Sequence, residues 1–416
     1  MSPSRYSTAL AALLPALCWQ PHPALASEVA DMTRAALESG RFDKARDELD
    51  KRLAAKPDNE LVLAVAMLGF TQAIQHYGIA QFTFGLRPPK SASIPLLRLP
   101  VPPNPSPKEV TYEAQREALQ HFLDDLAKVD ATLAKLGPAD TKIVVDLNKI
   151  AFDFTGGGKA EDVLTMIDLM TGVNPRGPEA KKGEKFEVAF DRADALWLRG
   201  YVNLLSATIE FFLAYDWHES FEDAAPIFYP KVAKRTIPAG LSIGTIKNGG
   251  WFEDSPAFAD MLALLHTAHW PVAEPARMKA VLAHLKSAVA LSRESWNAIE
   301  AETDDDREWI PSPKQKNGVL PGMPVTAEFV ATWRAALDDF DAVLDGKKLV
   351  PHWRLTKGIN LKKVFEEPRL FDAVLWATGH AAAPYAEDGE TISQENWSRW
   401  NRGMGGNFLP YAFYFN

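Results

Sequence analysis

The sequence predicts a mainly α-helical globular protein, and three observations support this fold class. The chain has 416 residues, of which 47% are hydrophobic and 24% charged, a balance typical of folded domains with a sizeable core. Apolar residues recur three and four positions apart in several long segments, as on one face of a helix. Alternating patterns typical of strands occur only in short runs. We therefore expect a helical hairpin packed on a larger irregular helical domain with long Pro- and aromatic-rich loops.

Residues 1–26 have the three-part pattern of a cleavable signal peptide. Arg5 supplies the positive charge, residues 8–19 form a short apolar run, and an Ala-Leu-Ala cleavage site ends the segment. The apolar run is shorter than the roughly 20 residues that a membrane anchor needs. We predict export with cleavage before Ser27, into the periplasm or alternatively out of the cell.

Composition and charge narrow the classes of partner and site. The only cysteine, Cys18, lies in the predicted signal peptide, so the mature chain has no disulfide, thiolate metal site or cysteine nucleophile. The net charge of −9 favours solubility and argues against a nucleic-acid or anionic-membrane partner. We expect no transmembrane anchor, because Asp194, Arg199 and Glu210 interrupt the most apolar mature segment, residues 193–215.

Residues 27–85 form the first predicted unit of the mature chain. A turn glycine, an aromatic, a small alanine, two leucines and a closing proline follow one another at fixed spacings, at Gly40, Phe42, Ala45, Leu49, Leu53 and Pro57. This stretch resembles a tetratricopeptide repeat, and the resemblance covers one repeat and part of a second. It implies two antiparallel helices. Since such arrays need about three stacked repeats to be stable, we expect the hairpin to dock on the rest of the chain.

Eight prolines in residues 86–107 exclude a helix there and predict an extended linker or an arm along the surface. This segment marks the first predicted domain boundary, and residues 108–416 form the predicted main domain. A clear amphipathic helix follows, with Leu119, Leu126 and Leu133 on one face, and Gly137-Pro138 ends it.

The rest of the main domain is predicted from periodicity and capping residues. Residues 186–190 alternate as in a short strand, and Asp191 caps the long apolar helix that follows. Loops are expected at 223–256 and 304–323. Helices are expected at 257–269, 274–300, 329–344 and 368–379, with a terminal strand or arm around Tyr411, Phe413 and Phe415.

The segment Asp216, Trp217, His218, Glu219 and Glu222 has the densest mixture of acidic, imidazole and aromatic groups. Asp216 with Glu219 or Glu222 is a candidate acid/base pair, with Trp217 as a platform for a sugar ring. A helix C-terminus disfavours negative charge, so these carboxylates need a compensating interaction. Local caps and ion pairs are the alternative interpretation.

Two patterns suggest metal sites. His266 and His269 lie three apart on a predicted helix and would bind zinc or another divalent metal if carboxylates join them; the alternative is a pair of satisfied histidines. Asp153, Thr155 and Gly158 resemble the start of an EF-hand loop, but Leu164 occupies the twelfth position, where a bidentate glutamate is needed. We interpret this second segment as a glycine-rich turn.

His352-Trp353-Arg354 places hydrogen-bond donors on a predicted loop. This pattern predicts either a solvated loop or a site for an anion or a partner's carboxylate. The sequence carries no strong catalytic signature and names no cofactor or oligomeric state. The favoured hypothesis is a non-enzymatic exported protein that binds or scaffolds protein or glycan of the cell envelope. The alternatives are a glycan or cell-envelope hydrolase that uses carboxylates of residues 216–222, and a divalent-metal protein.

Overall fold

The structure is a computed structural model that describes residues 27–87, 99–158, 163–166, 168–169, 185–233, 262–315, 318 and 325–403. The predicted signal peptide and the predicted terminal strand around Tyr411 lie outside these residues. The described chain is mainly helical, which confirms the predicted fold class.

The helices are α1 (Glu28–Ser39), α2 (Asp43–Ala55), α3 (Asn59–Phe84), α4 (Tyr112–Leu133), α5 (Arg192–Ala214), α6 (His218–Phe228), α7 (Pro275–Ala301), α8 (Ala327–Leu344), α9 (Leu361–Glu366), α10 (Ala373–Thr378) and α11 (Gln394–Gly403). Residues 262–267 are also helical. The strands are β1 (Lys142–Asp146), β2 (Ala151–Asp153), β3 (Val163–Thr165), β4 (Glu187–Asp191), β5 (His269–Trp270), β6 (Gly358–Ile359), β7 (Phe371–Asp372) and β8 (Ala386–Glu387).

Helix α3 lies at the centre of the N-terminal half. Asp58 caps it, and Gly85 ends it in the left-handed conformation. Among the described helices, α3 alone is long and apolar enough to cross a membrane. Of its most apolar stretch of 18 residues, 72% is buried inside the protein. Such burial is typical of a central core helix, which α1, α2 and α4 cover here.

A glycine sets the closest approach to this helix. Gly78 lies against the ring of Phe154, and a Cβ at this position would overlap the ring. Phe154 itself is fully buried. The segment that follows β2 therefore packs directly on the backbone of α3.

Helices α4, α5, α7 and α8 continue the packing in sequence order, and α5 with α7 forms the most extensive helix pair. One contiguous core runs from Ala30 in α1 to Trp400 in α11. Leu86, Leu99 and Val101, from the described parts of the Pro-rich segment, are buried in this core. There the segment is an arm held against the protein.

The strands form four two-stranded antiparallel ribbons, β1–β4, β2–β3, β5–β7 and β6–β8. The predicted strand at residues 186–190 is β4, and Lys142 of β1 lies opposite Asp191 at its end. The predicted cap is confirmed, since the Asp191 side chain accepts hydrogen bonds at the start of α5.

Two sequence predictions are corrected. Residues 223–228, expected to begin a loop, belong to helix α6, with Pro226 inside it. His269, expected on a helix, lies on β5 because residues 269–270 pair with 371–372.

Candidate functional site

Three carboxylates converge where β4 meets α5 and where α7 ends. Asp191 is the last residue of β4 and the N-cap of α5, Glu302 is the C-cap of α7, and Glu308 lies on the following loop. One carboxylate oxygen from each lies within 4.8 Å of the others. In the part of the chain that the structure describes, no other group of three His, Cys, Asp or Glu side chains meets this limit. We call these three residues the carboxylate cluster.

Helix capping fixes the position of the Asp191 carboxylate. Asp191 Oδ1 accepts hydrogen bonds from the backbone N–H groups of Ala193 (2.7 Å) and Asp194 (3.2 Å). Asp194 completes the capping box, because its Oδ2 accepts from the Asp191 N–H at 3.1 Å. The carboxylate of Asp191 is therefore held at the start of α5 and also shares a hydrogen bond with Glu302.

The positions of Glu302 and Glu308 depend on the loop that follows α7. Gln315 Nε2 donates to Glu302 Oε2 at 3.1 Å and to the Asp304 carbonyl at 3.0 Å, which ties the loop together. Glu308 is only 3% exposed, and its Oε1 accepts from the Asp306 N–H at 3.0 Å. Burial of a carboxylate with so few donors is costly unless a cation or a proton compensates for it.

Backbone strain marks the same loop. Arg307 has φ +60°, the only positive φ at a non-glycine residue in the described chain. Its carbonyl accepts from the Ala189 N–H at 3.2 Å, and its guanidinium donates to Glu187 (2.6 Å) and Asp306 (3.0 Å). A left-handed arginine costs on the order of 1 kcal/mol, so these contacts impose a conformation that the residue does not prefer.

Burial and mutual repulsion raise the pKa values at the cluster. Burial raises the pKa of Glu302 to about 8, and the charge of Asp191 adds to the rise. Burial likewise raises the pKa of Glu308 and of Asp191. The pKa of the fully enclosed Asp194 lies well above its ordinary value, first because of burial and then because of Asp191. With a pKa of about 8, Glu302 retains its proton near neutral pH.

Lys142, whose charge acts on Asp191 and Glu308, is already engaged by other acids. Lys142 Nζ donates to Asp304 and lies 3.7 Å from Asp306 Oδ2. It lowers the pKa of Asp191 only as a lesser contribution. The charge of Lys142 does not outweigh burial, which still raises the pKa values of all three carboxyl groups.

This arrangement suits a hard divalent cation. Two oxygens on opposite sides of a bound Ca²⁺ lie roughly 4.8 Å apart, twice a bond of about 2.4 Å. Carboxylate oxygens are the ligands of Mg²⁺, Ca²⁺ and Mn²⁺, whereas zinc favours imidazole and thiolate. Asp191, Glu302 and Glu308 could hold such an ion after losing their protons.

The predicted cluster at residues 216–222 lies at the opposite end of α5. The His218 ring stacks on the Tyr112 ring with centroids 4.7 Å apart, and His218 Nε2 lies 3.4 Å from Glu222 Oε1. Asp216 Oδ1 accepts from the His218 N–H at 3.1 Å, and the Trp217 N–H donates to the Tyr112 hydroxyl at 3.1 Å. We call these five residues the Tyr112 cluster.

The exposed Glu219 lies in the first turn of α6. Because a new helix begins at His218, Glu219 lies at a helix N-terminus, where negative charge is favourable. For Glu219, the expected conflict with a helix C-terminus is therefore resolved by local structure. The use of Asp216, Glu219 and Glu222 in catalysis stays a prediction.

The two predicted metal-binding histidines are separated by secondary structure. His266 is exposed on the helical residues 262–267, and His269 is on β5. His269 Nδ1 lies 2.8 Å from Asp372 Oδ2, and this contact lowers the pKa of Asp372. Neither histidine belongs to the carboxylate cluster.

The Asp153 turn is saturated by its own donors. Asp153 Oδ1 accepts from the Thr155 N–H (3.1 Å), the Thr155 hydroxyl (2.7 Å) and the Gly156 N–H (2.9 Å), and Oδ2 accepts from the Gly158 N–H (2.6 Å). These bonds lower the pKa of Asp153 against the effect of its burial. This geometry agrees with the interpretation as a glycine-rich turn.

The chain matches no protein-family model, no curated protein and no solved structure.

Proposed function

We propose that this protein is an exported, non-enzymatic binding protein whose ligand is a hard divalent cation held by Asp191, Glu302 and Glu308. The observation that carries this proposal is the convergence of three carboxylates within 4.8 Å, one of them almost completely buried. This deepens the hypotheses of a binding protein and of a divalent-metal protein, but moves the metal site away from His266 and His269.

The cation would join three separate parts of the chain. Asp191 belongs to the start of α5, Glu302 to the end of α7, and Glu308 to the strained loop. A divalent charge would relieve the repulsion that raises their pKa values. Because Glu302 has a pKa of about 8, binding near neutral pH would displace a proton.

Titration calorimetry on chelator-treated protein tests the proposal. We expect Ca²⁺, Mg²⁺ or Mn²⁺ to bind at one site near pH 7, with release of about one proton, seen as a heat that depends on the buffer's ionisation enthalpy. Glu302→Gln and Glu308→Gln should abolish binding, since each removes a charged ligand without changing side-chain size.

Glu219→Gln/Glu222→Gln is the matched control, since it removes two carboxylates at the other end of α5. This control should bind the cation as the unaltered protein does. Binding that survives loss of both Glu302 and Glu308, or an absence of heat with all three cations, would overturn the proposal. Zinc binding that His266→Ala/His269→Ala removes would restore the histidine hypothesis.

Export is the second part of the proposal. Ser27 follows the predicted cleavage site, and its hydroxyl accepts from the Ala30 N–H at 3.0 Å as the N-cap of α1. Cleavage before Ser27 would therefore leave the first helix with its cap. N-terminal sequencing of protein from the producing cells should give Ser27 first, and a chain that still begins at Met1 would contradict export by cleavage.

We also propose that α1 and α2 form a tetratricopeptide-type hairpin. Gly40 supports this, because it ends α1 with φ +65°, and so does Phe42, which is 1% exposed at the start of α2. Leu49 and Leu53 are buried on the inner face of α2. The hairpin packs on α3, and its outer side remains a candidate surface for protein or glycan of the cell envelope.

A further inference from the structure

Lys142 places a positive charge beside the carboxylate cluster. It is the first residue of β1 and lies opposite Asp191 in the antiparallel β1–β4 ribbon. The side chains of directly opposite residues leave the same face of such a ribbon, with their Cβ atoms about 5 Å apart. The side chains of Lys142 and Asp191 therefore start from neighbouring points on one face.

The ammonium group of Lys142 also reaches the loop that follows α7. Lys142 Nζ donates to Asp304 and lies 3.7 Å from Asp306 Oδ2. Both acids lie between Glu302 and Glu308 in the sequence. Burial lowers the pKa of Lys142, but the hydrogen bond to Asp304 and the charges of the nearby acids outweigh burial and raise it overall. Lys142 is therefore charged near neutral pH.

This charge would act on a bound cation in two ways. It would repel a divalent ion held by the carboxylate cluster. It would also keep Asp304 and Asp306 engaged, so that their negative charge is offset at the site. Over separations of roughly 5–10 Å, one opposing unit charge changes the affinity for a divalent ion by about ten-fold even in a water-like dielectric.

We propose that Lys142 is a built-in competitor of the bound cation and limits the affinity of the site. This inference rests on the proposed cation site at Asp191, Glu302 and Glu308. It adds the residue that sets the cation concentration at which the site fills. With Lys142 in place, the site would fill only where the free cation is abundant.

A purely structural role for Lys142 would have the opposite effect. If Lys142 alone held the loop in place, its removal would loosen the carboxylate cluster and weaken binding. The loop has other attachments. Gln315 Nε2 donates to Glu302 and to the loop backbone, and the Arg307 carbonyl accepts from a backbone N–H of β4. Because these contacts do not involve Lys142, we expect the loss of repulsion to dominate.

Titration calorimetry with Ca²⁺ at pH 7, on the chelator-treated full chain, distinguishes the two roles. Lys142→Gln should bind Ca²⁺ about ten-fold more tightly than the unaltered protein, because the repulsion is lost. Lys142→Arg keeps the charge and should bind Ca²⁺ with about the unaltered affinity. A structural contact would give the reverse sign, a weaker binding in Lys142→Gln.

Lys149→Gln is the matched control, since it removes the same charge beyond the far end of β1. Lys149 is exposed and lies 3.8 Å from Glu38. The strand from Lys142 to Asp146 alone spans about 13 Å, more than the screening length of about 8–10 Å. Lys149→Gln should therefore leave the Ca²⁺ affinity unchanged.

A double variant shows where the tighter binding takes place. Adding Glu302→Gln to Lys142→Gln should abolish binding, because the cation then lacks a ligand of the carboxylate cluster. Tight binding that survives in the double variant would mean that the acids released from Lys142 hold the ion themselves, and the inference would be wrong. Circular dichroism of each variant in EDTA shows that a change in affinity is not a change of fold.

The remaining outcomes separate this inference from the proposed function. If the unaltered protein binds Ca²⁺ and Lys142→Gln binds it equally or less tightly, the inference fails and the cation site stands. An equal gain in Lys149→Gln or in Lys142→Arg also overturns the inference alone. If neither the unaltered protein nor Lys142→Gln binds Ca²⁺, Mg²⁺ or Mn²⁺, the proposed function and the inference fail together.

Discussion

The two ends of helix α5 both gather acidic side chains, but they neutralise them in different ways. At the C-terminal end, His218 of the Tyr112 cluster lies 3.4 Å from Glu222. Arg116 donates to the Tyr112 hydroxyl (3.3 Å), to the carbonyls of Leu213 (2.8 Å) and Tyr215 (2.9 Å) and to Glu274 (3.0 Å). At the N-terminal end, no cation of the described chain forms an ion pair with the carboxylate cluster, and Glu302, with a pKa of about 8, retains its proton near neutral pH. A complete local network indicates a structural role, whereas missing positive charge indicates a ligand.

The largest expected effect on stability comes from removing Arg116 at the C-terminal end of α5. Arg116→Ala removes four charge-assisted hydrogen bonds from a side chain that is only 19% exposed, so we expect the free energy of unfolding to fall by about 3 kcal/mol. Urea denaturation measures this loss. Arg52→Ala is the control, because Arg52 also pairs with two acids, Glu28 and Glu48, but on the surface. A loss as large in the control would mean that Arg116 has no special role at this end.

The next largest effect is the pH dependence of stability that Glu302 causes near the N-terminal end of α5. The folded state raises the pKa of Glu302 from 4.5 to about 8, so it binds a proton that the unfolded chain releases. The stability from this proton is complete below about pH 4.5 and is lost as pH rises through about 8. For this partly exposed group, we expect a loss on the order of 2 kcal/mol in cation-free protein.

Thermal denaturation of the cation-free protein and of Glu302→Gln, from pH 5 to pH 8.5, isolates this contribution. As pH rises from 5 to 8.5, the melting temperature of the unaltered protein should fall relative to that of Glu302→Gln. A saturating cation should reduce the loss at high pH in the unaltered protein only. Parallel curves for the two proteins would contradict the assignment of the raised pKa to Glu302.

The smallest effect is expected at Glu219. This carboxylate is exposed in the first turn of α6, where it lies near the partial positive charge of the helix end and pairs with no cation among the residues that the structure describes. Glu219→Gln should cost about 0.3 kcal/mol, and Glu219→Asp, which keeps the charge, should cost less. A loss above about 1 kcal/mol, measured in urea, would show that Glu219 has a buried partner in solution.

Local patterns were sufficient for much of the fold. Three- and four-residue periodicity predicted α4, α7 and α8, and the cap at Asp191 was readable because a short polar side chain precedes a long apolar run. Strand β1 escaped prediction because its partner, β4, lies more than 40 residues along the chain. Helix α6 escaped because Pro226 and the acids near it are typical of loops.

The candidate site could not be predicted from the spacing of residues along the sequence. Asp191 is 111 positions before Glu302, and only the packing of α5 on α7 brings them together. The sequence did contain one signal, an acidic stretch at the end of α7, but it does not identify which carboxylates become buried. By contrast, the mixture at residues 216–222 was conspicuous, and its side chains are engaged by Tyr112 and by one another.

Gly78 has a consequence for how this protein tolerates change. Because the Phe154 ring occupies the space where a Cβ would lie, even alanine there would force the ring or the backbone of α3 to move. A smaller side chain at 154 would open room for a methyl group at 78. We therefore expect these two positions to vary only together among functional sequences, although 76 positions separate them along the chain.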